Sequence, residues 1–128
     1  MKTWYYRFIS LNLLTKGQTQ VSHSSDQESL ITSFRKNIPL FQALGDPVRQ
    51  DIIQILIKNG TLNVNRITAL TNISRPAISH HLKILKDAKI VEMRKEGNQN
   101  MYTLQATETL QNLKTLIKIV EKECGISR

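Results

Sequence analysis

At Ala88 the spacing of apolar residues along this chain changes from helical to alternating, and that change limits the folds open to it. Upstream, Ile78, Leu82 and Leu85 recur at four- and three-residue steps, one buried stripe on a helix running to about Asp87. Ser74 is placed to cap its start, and Pro76 is tolerated in a first turn whose N–H groups lack helical partners. Downstream, Ile90-Val91-Glu92-Met93-Arg94 reads as a strand, Gly97-Asn98 as its turn and Met101-Tyr102-Thr103-Leu104 as the return strand.

The segments before this helix are helical too. From Asp26, the spacing of Leu30, Ile31 and Phe34 predicts a short helix that stops before Pro39, and Ile38–Leu44 follows as another. Asp46 then caps a helix with Pro47 at its first position, Val48, Ile52, Ile55 and Leu56 inward, and Asn59-Gly60 as its stop. Asn65 is expected to cap a helix over residues 66–70, with Ile67 and Leu70 facing the core. Thr71-Asn72-Ile73 makes a brief turn into the Ser74 helix. After the hairpin, Thr107 is expected to cap a last helix carrying Leu110, Leu113, Ile117 and Val120. This order predicts a mainly α, α+β winged helix: a helix-turn-helix with a two-stranded hairpin wing, flanked by further helices. One such domain is expected over residues 26–124, behind a flexible leader or tail, residues 1–25.

Charge narrows the function. The 128 residues hold 18 Lys and Arg against 10 Asp and Glu, a formal +8, which suits a polyanionic partner. Aromatic residues make up only 5%, which argues against a stacking platform for single strands or RNA. The single cysteine, Cys124, excludes an intrachain disulfide and fits a reducing compartment. Residues 1–14 look superficially like a secretion signal. Their apolar run is broken by Arg7, Ser10 and Asn12, with no small-residue cleavage site after it, so a cytoplasmic location and no membrane partner are expected.

The helix opened by Ser74 is the expected reader of duplex DNA. Arg75, Ser79, His80, Lys83 and Lys86 are predicted on its outer face, with Pro76 in the first turn. Small residues at Ala77 and Ser79 let the backbone approach a major groove. Arg75 can pair with guanine O6 and N7, while Ser79 and His80 can meet base edges or phosphates. Residues 75–95 hold six cations against two acids, a net +4, half of the chain's formal charge. The hairpin tip adds Arg94, Lys95 and Asn98 as a polar wing for the DNA backbone or minor groove.

Two motifs then carry a resemblance. Leu44-Gly45-Asp46-Pro47-Val48-Arg49 looks like the "L-x-D-P-x-R" opening of the ArsR/SmtB family of bacterial winged-helix repressors. Ser74-Arg75-Pro76-Ala77-Ile78-Ser79-His80-His81-Leu82-Lys83-Ile84-Leu85 resembles that family's recognition helix, "S-x-x-x-[VI]-S-x-H-L-x-x-L". The resemblance covers about residues 38–104. It implies a homodimer that pairs through its first and last helices and represses from an inverted-repeat operator until an effector releases it. The dimer surface would then comprise Leu30, Ile31 and Phe34 with Leu110, Leu113, Leu116, Ile117 and Val120.

Departures from the family pattern matter as much. Metal-sensing members carry two cysteines in "E-L-C-V-C-[DE]-L", whereas this chain reads Thr61-Leu62-Asn63-Val64-Asn65-Arg66-Ile67. Asparagine is a poor ligand for soft metals, and residues 105–128 contain no histidine for the other family site. The adjacent His80 and His81 point about 100° apart on a helix and cannot chelate one ion together. His81 is expected to be partly buried and His80 to face outward. No metal and no cofactor are expected, and a thiol sensor would rest on Cys124 alone. Nothing in the chain supports an enzyme: it has no phosphate loop, no paired catalytic carboxylates and no Cys/His nucleophile arrangement. The remaining alternative is a winged helix that binds protein, which predicts an acidic or apolar reading face.

Overall fold

The computed structural model describes residues 23–126, and the expected leader, up to residue 22, lies outside them. The described elements run α1 (His23–Lys36), α2 (Ile38–Leu44), α3 (Pro47–Asn59), β1 (Leu62–Asn63), α4 (Val64–Ala69), α5 (Arg75–Asp87), β2 (Val91–Glu96), β3 (Gln99–Leu104) and α6 (Thr107–Glu123). The first helix therefore begins three residues before Asp26. Among the described residues, no helix is long and apolar enough to cross a membrane.

Local chemistry explains the helix ends. The Asp46 side chain accepts from the N–H groups of Val48 (2.8 Å) and Arg49 (3.4 Å), satisfying two donors that open α3. Gly60, at φ 73°, ends that helix in a conformation side chains resist. Ser74 Oγ accepts from the Ala77 N–H (3.4 Å) and opens α5 as expected. At the far end of α5, Lys89 takes the left-handed conformation (φ 56°) without being glycine. Its N–H reaches the Lys86 carbonyl, and the Ile90 N–H reaches the Leu85 carbonyl, both at 2.9 Å. These bonds form a Schellman closure, accompanied by the buried Leu85 and Ile90.

Three expectations need correction. Asn63, not Asn65, caps the fourth helix: its Oδ1 accepts from the Arg66 N–H at 2.8 Å while its own backbone stays extended. The helix thus starts two residues early and ends at Ala69. Leu70 consequently falls outside it and is 50% exposed, while Ile67 is fully buried. Thr107 is not a cap either; Ala106 holds that position and no side chain bonds the opening turn of α6.

The hairpin is longer than expected and gains a third strand. β2 and β3 pair from Val91–Leu104 to Glu96–Gln99 around the Gly97-Asn98 turn, with Gly97 at φ 59°. β1 pairs with the other edge of β3, Leu62 opposite Tyr102 and Asn63 opposite Met101, so the order is β1-β3-β2. The core joins Leu40 and Ala43 of α2, Ile52 and Leu56 of α3, Val64 and Ile67 of α4, and the predicted stripe Ile78, Leu82 and Leu85 of α5. Each large apolar side chain buried there contributes about 1.5–3 kcal/mol.

Two buried polar residues attach α6 to the rest. Asn37, between α1 and α2, donates from Nδ2 to the carbonyls of Ser33 (2.8 Å) and Asn112 (3.3 Å). The Thr109 hydroxyl shares its hydrogen between the carbonyls of Ala88 (3.2 Å) and Lys89 (3.0 Å), which fastens the start of α6 to the end of α5.

Candidate nucleic-acid interface

α4, the turn after it and α5 form the helix-turn-helix, and α5 is anchored on one side only. Ile78, Leu82 and Leu85 are each fully buried, which fixes the helix against the domain, while the described residues leave its other side uncovered. Arg75, Pro76, His80, Lys83 and Lys86 are exposed, Ala77 and Ser79 are half-buried, and Ser74 is exposed at the cap. Five exposed residues thus lie where the sequence predicts, while Ser79 and Ala77 sit at the margins of the surface. On the wing, Arg94, Lys95 and Asn98 are all exposed. Arg94 pairs with Glu92 at 3.4 Å, an exposed pair worth little because water screens it. Among the described residues, Lys83, Lys86 and Lys95 form no ion pair.

Two asparagines whose role the sequence did not reveal hold this surface in place. Asn63, besides capping α4, donates from Nδ2 to Gln99 Oε1 on the wing at 2.9 Å. Asn65 Oδ1 accepts from Arg75 Nε at 2.8 Å. The first turn of α4 is therefore bonded to the wing on one side and to the reading helix on the other. Both asparagines, which stand where the sequence pattern of metal-sensing members would have cysteines, use their amides for hydrogen bonds. Among the described residues, no three His, Cys, Asp or Glu side chains come together as a metal site. Cys124 is exposed, past the end of α6.

Behind the reading helix stands Arg49. Its Nε donates to the Ala43 carbonyl (2.6 Å) and its Nη2 to the Gln42 carbonyl (2.9 Å), satisfying the end of α2. Its Nη1 lies 3.4 Å from His81 Nδ1 and 3.5 Å from Asp46 Oδ2. His81 is thus half-buried and hydrogen-bonding, and His80 outward, as the sequence suggests. Desolvation raises the pKa of Asp46, but the N–H bonds from Val48 and Arg49 and the charge of Arg49 outweigh it. The net result lies below the ordinary carboxylate value. The arginine of the "D-P-x-R" motif is a clasp joining α2, α3 and α5.

The expected dimer residues divide into two sets. Ile31 (48%), Phe34 (43%), Leu110 (51%) and Ile117 (48%) are exposed, and Leu30, Leu113 and Val120 are half-buried. Leu116 is only 4% exposed and is covered within the protomer. Ile38 and Phe41 of α2, not singled out on sequence, are also exposed. Their i, i+3 spacing is the signal that could have found them.

Residues 46–93 match the bacterial regulatory protein, arsR family. An HTH-type transcriptional regulator of Methanocaldococcus jannaschii is 39% identical over 70% of this chain and 96% of its own length. The transcriptional repressor SdpR of Bacillus subtilis is 34% identical over 65% of this chain and 91% of its own. Among solved structures, an ArsR-like transcriptional regulator from Rhodococcus superposes with a TM-score of 0.64 at 25% identity, over 71% of this chain and 85% of that one. HlyU of Vibrio cholerae gives a TM-score of 0.53 at 30% identity, over 69% and 90%. These relatives bear out both the winged-helix fold and the expectation that the chain is no enzyme. This protein, with its capped helix-turn-helix, its basic outer face and its three-stranded wing, belongs to the ArsR family of transcriptional regulators.

Proposed function

We propose that the protein is a homodimeric repressor that binds an inverted-repeat operator in duplex DNA. The observation that carries this reading is the contrast on α5: three fully buried apolar residues on one side, and exposed Arg75, His80, Lys83 and Lys86 on the other. Phosphates attract the lysines without regard to sequence, and Arg75 at the helix start supplies base discrimination. The wing cations Arg94 and Lys95, with Asn98, follow the flanking backbone. A reading surface for a protein partner would be acidic or apolar, and this one is neither.

A second copy would double the number of base pairs read and match an inverted repeat. The apolar face of Ile31, Phe34, Leu110 and Ile117, bordered by Leu30, Leu113 and Val120, would join two protomers. A twofold dimer would place the two α5 helices about 34 Å apart, in successive major grooves. Repression would follow from occlusion of polymerase, in keeping with the name of the related SdpR. Selection of random duplex DNA by the purified protein, followed by titration at two salt concentrations, tests this reading. It expects an enriched inverted repeat whose affinity falls steeply between about 50 and 200 mM salt. Enrichment of no sequence, with weak and salt-insensitive binding, would reject it.

A further inference from the structure

The hydrogen bond between Asn65 and Arg75 joins two exposed side chains ten residues apart, on different helices, and neither needs it for burial. Asn65 does not cap α4, because Asn63 does. Nor does the core use it, since Val64 and Ile67 fill that side of the helix. Its one described interaction is with Arg75, at the first position of the reading helix.

We propose that Asn65 is a positioning residue for DNA readout, which aims the guanidinium of Arg75 at one base pair of the operator. The inference rests on the DNA-reading role of Arg75 given above. The guanidinium is planar, with one donor on Nε and two on each Nη. Donation from Nε to Asn65 Oδ1 fixes the plane and uses the inner edge. Among the described residues nothing bonds the outer edge, Nη1 and Nη2, and its paired donors match the O6 and N7 acceptors of guanine. Arg75 thus meets DNA already ordered, and the cost of immobilising a long flexible side chain is met in folding rather than in binding. Asn63, bonded to the wing through Gln99, sets the same turn of α4 against the rest of the interface.

The test compares the selected operator with variants substituted at each base pair, for the full-length wild type, Asn65→Ala, Asn65→Asp, Arg75→Ala and the Asn65→Ala/Arg75→Ala double variant. Asn65→Ala should lower discrimination about 3- to 10-fold at the same base pair that Arg75→Ala affects, and at no other. In the double variant it should add nothing to the Arg75→Ala loss. Asn65→Asp keeps the acceptor oxygen, so it should retain the preference while its charge weakens binding to every duplex. A purely structural role would instead lower the melting temperature and weaken all sequences alike. That result, or unchanged discrimination in Asn65→Ala, overturns the proposal while leaving Arg75 as a reader. If Arg75→Ala itself changes no base preference, the underlying reading falls as well.

Discussion

The Nε of Arg49 lies 2.6 Å from the carbonyl oxygen of Ala43, a charged donor closing the end of a helix that immediately precedes its own. The Gln42 carbonyl takes a second bond from the same guanidinium, while His81 and Asp46 flank Nη1. One fork-shaped group therefore satisfies two terminal carbonyls and faces the reading helix. Lysine can supply the charge but not the fork. Arg49→Lys should cost about 1.5–3 kcal/mol, the range for hydrogen bonds to a charged group. Denaturant unfolding of the two proteins checks it, and equal midpoints would show that the clasp is not needed.

Asp46 sets an acid limit on the same joint. Its folded pKa lies below the ordinary value of 3.8, so the unfolded chain binds this proton more readily. The stabilisation is complete above the unfolded pKa and is lost as pH falls through the folded one. Asp46→Asn keeps a capping oxygen but cannot titrate. At neutral pH the wild type should melt higher than Asp46→Asn, and the difference should close as pH falls below about 4. Melting curves from pH 7 to 2.5 measure this, and a constant gap would rule it out.

Lys89 occupies a conformation that favours glycine, at φ 56°, because the chain must turn sharply from α5 into the sheet. A side chain there costs roughly 1–2 kcal/mol. Its ion pair with Glu108, at 3.0 Å, is well exposed at both ends and returns little. Lys89→Gly should therefore raise stability by about 1 kcal/mol. A lower melting temperature would mean that the pair with Glu108 outweighs the backbone strain.

What could be read from the chain was what local chemistry decides. Asp46 and Ser74 cap through N–H groups two or three residues away, and the Ile78, Leu82 and Leu85 stripe needs only helical period. Asn63 and Asn65 defeated that approach, because each is a competent cap two residues from the other. The choice turns on partners far along the chain, Gln99 for one and Arg75 for the other. β1 is two residues long and exists only because β3 offers an edge, so no alternation announces it. In α6 the period marks an apolar side, but Leu116 and Ile117 are neighbours. Only burial in the folded protomer shows which one is already covered.

That division gives a prediction with two different readouts. Leu116→Ala empties a buried position and should cost about 2–5 kcal/mol of protomer stability. Ile117 is 48% exposed, so Ile117→Asp should leave the protomer folded while placing a charge in the proposed dimer face. Sedimentation should then show a folded monomer that binds the operator far more weakly than the wild type. A dimer that survives Ile117→Asp would place the subunit contact elsewhere.

Arg75 and Lys95 should separate base reading from phosphate attraction. Arg75 stands at the start of α5 with its orientation fixed by Asn65, whereas Lys95 lies on the wing strand opposite Asn100 and pairs with no described acid. Arg75→Ala should cost about 1–3 kcal/mol on the selected operator and little on random duplex, so specificity falls with affinity. Lys95→Ala should weaken both duplexes alike and reduce the slope of log affinity against log salt by about 1. Fluorescence anisotropy at four salt concentrations distinguishes the two. If both variants lost affinity in the same sequence-independent way, α5 would be a phosphate-binding helix, and base discrimination would have to come from other residues or from the shape of the DNA.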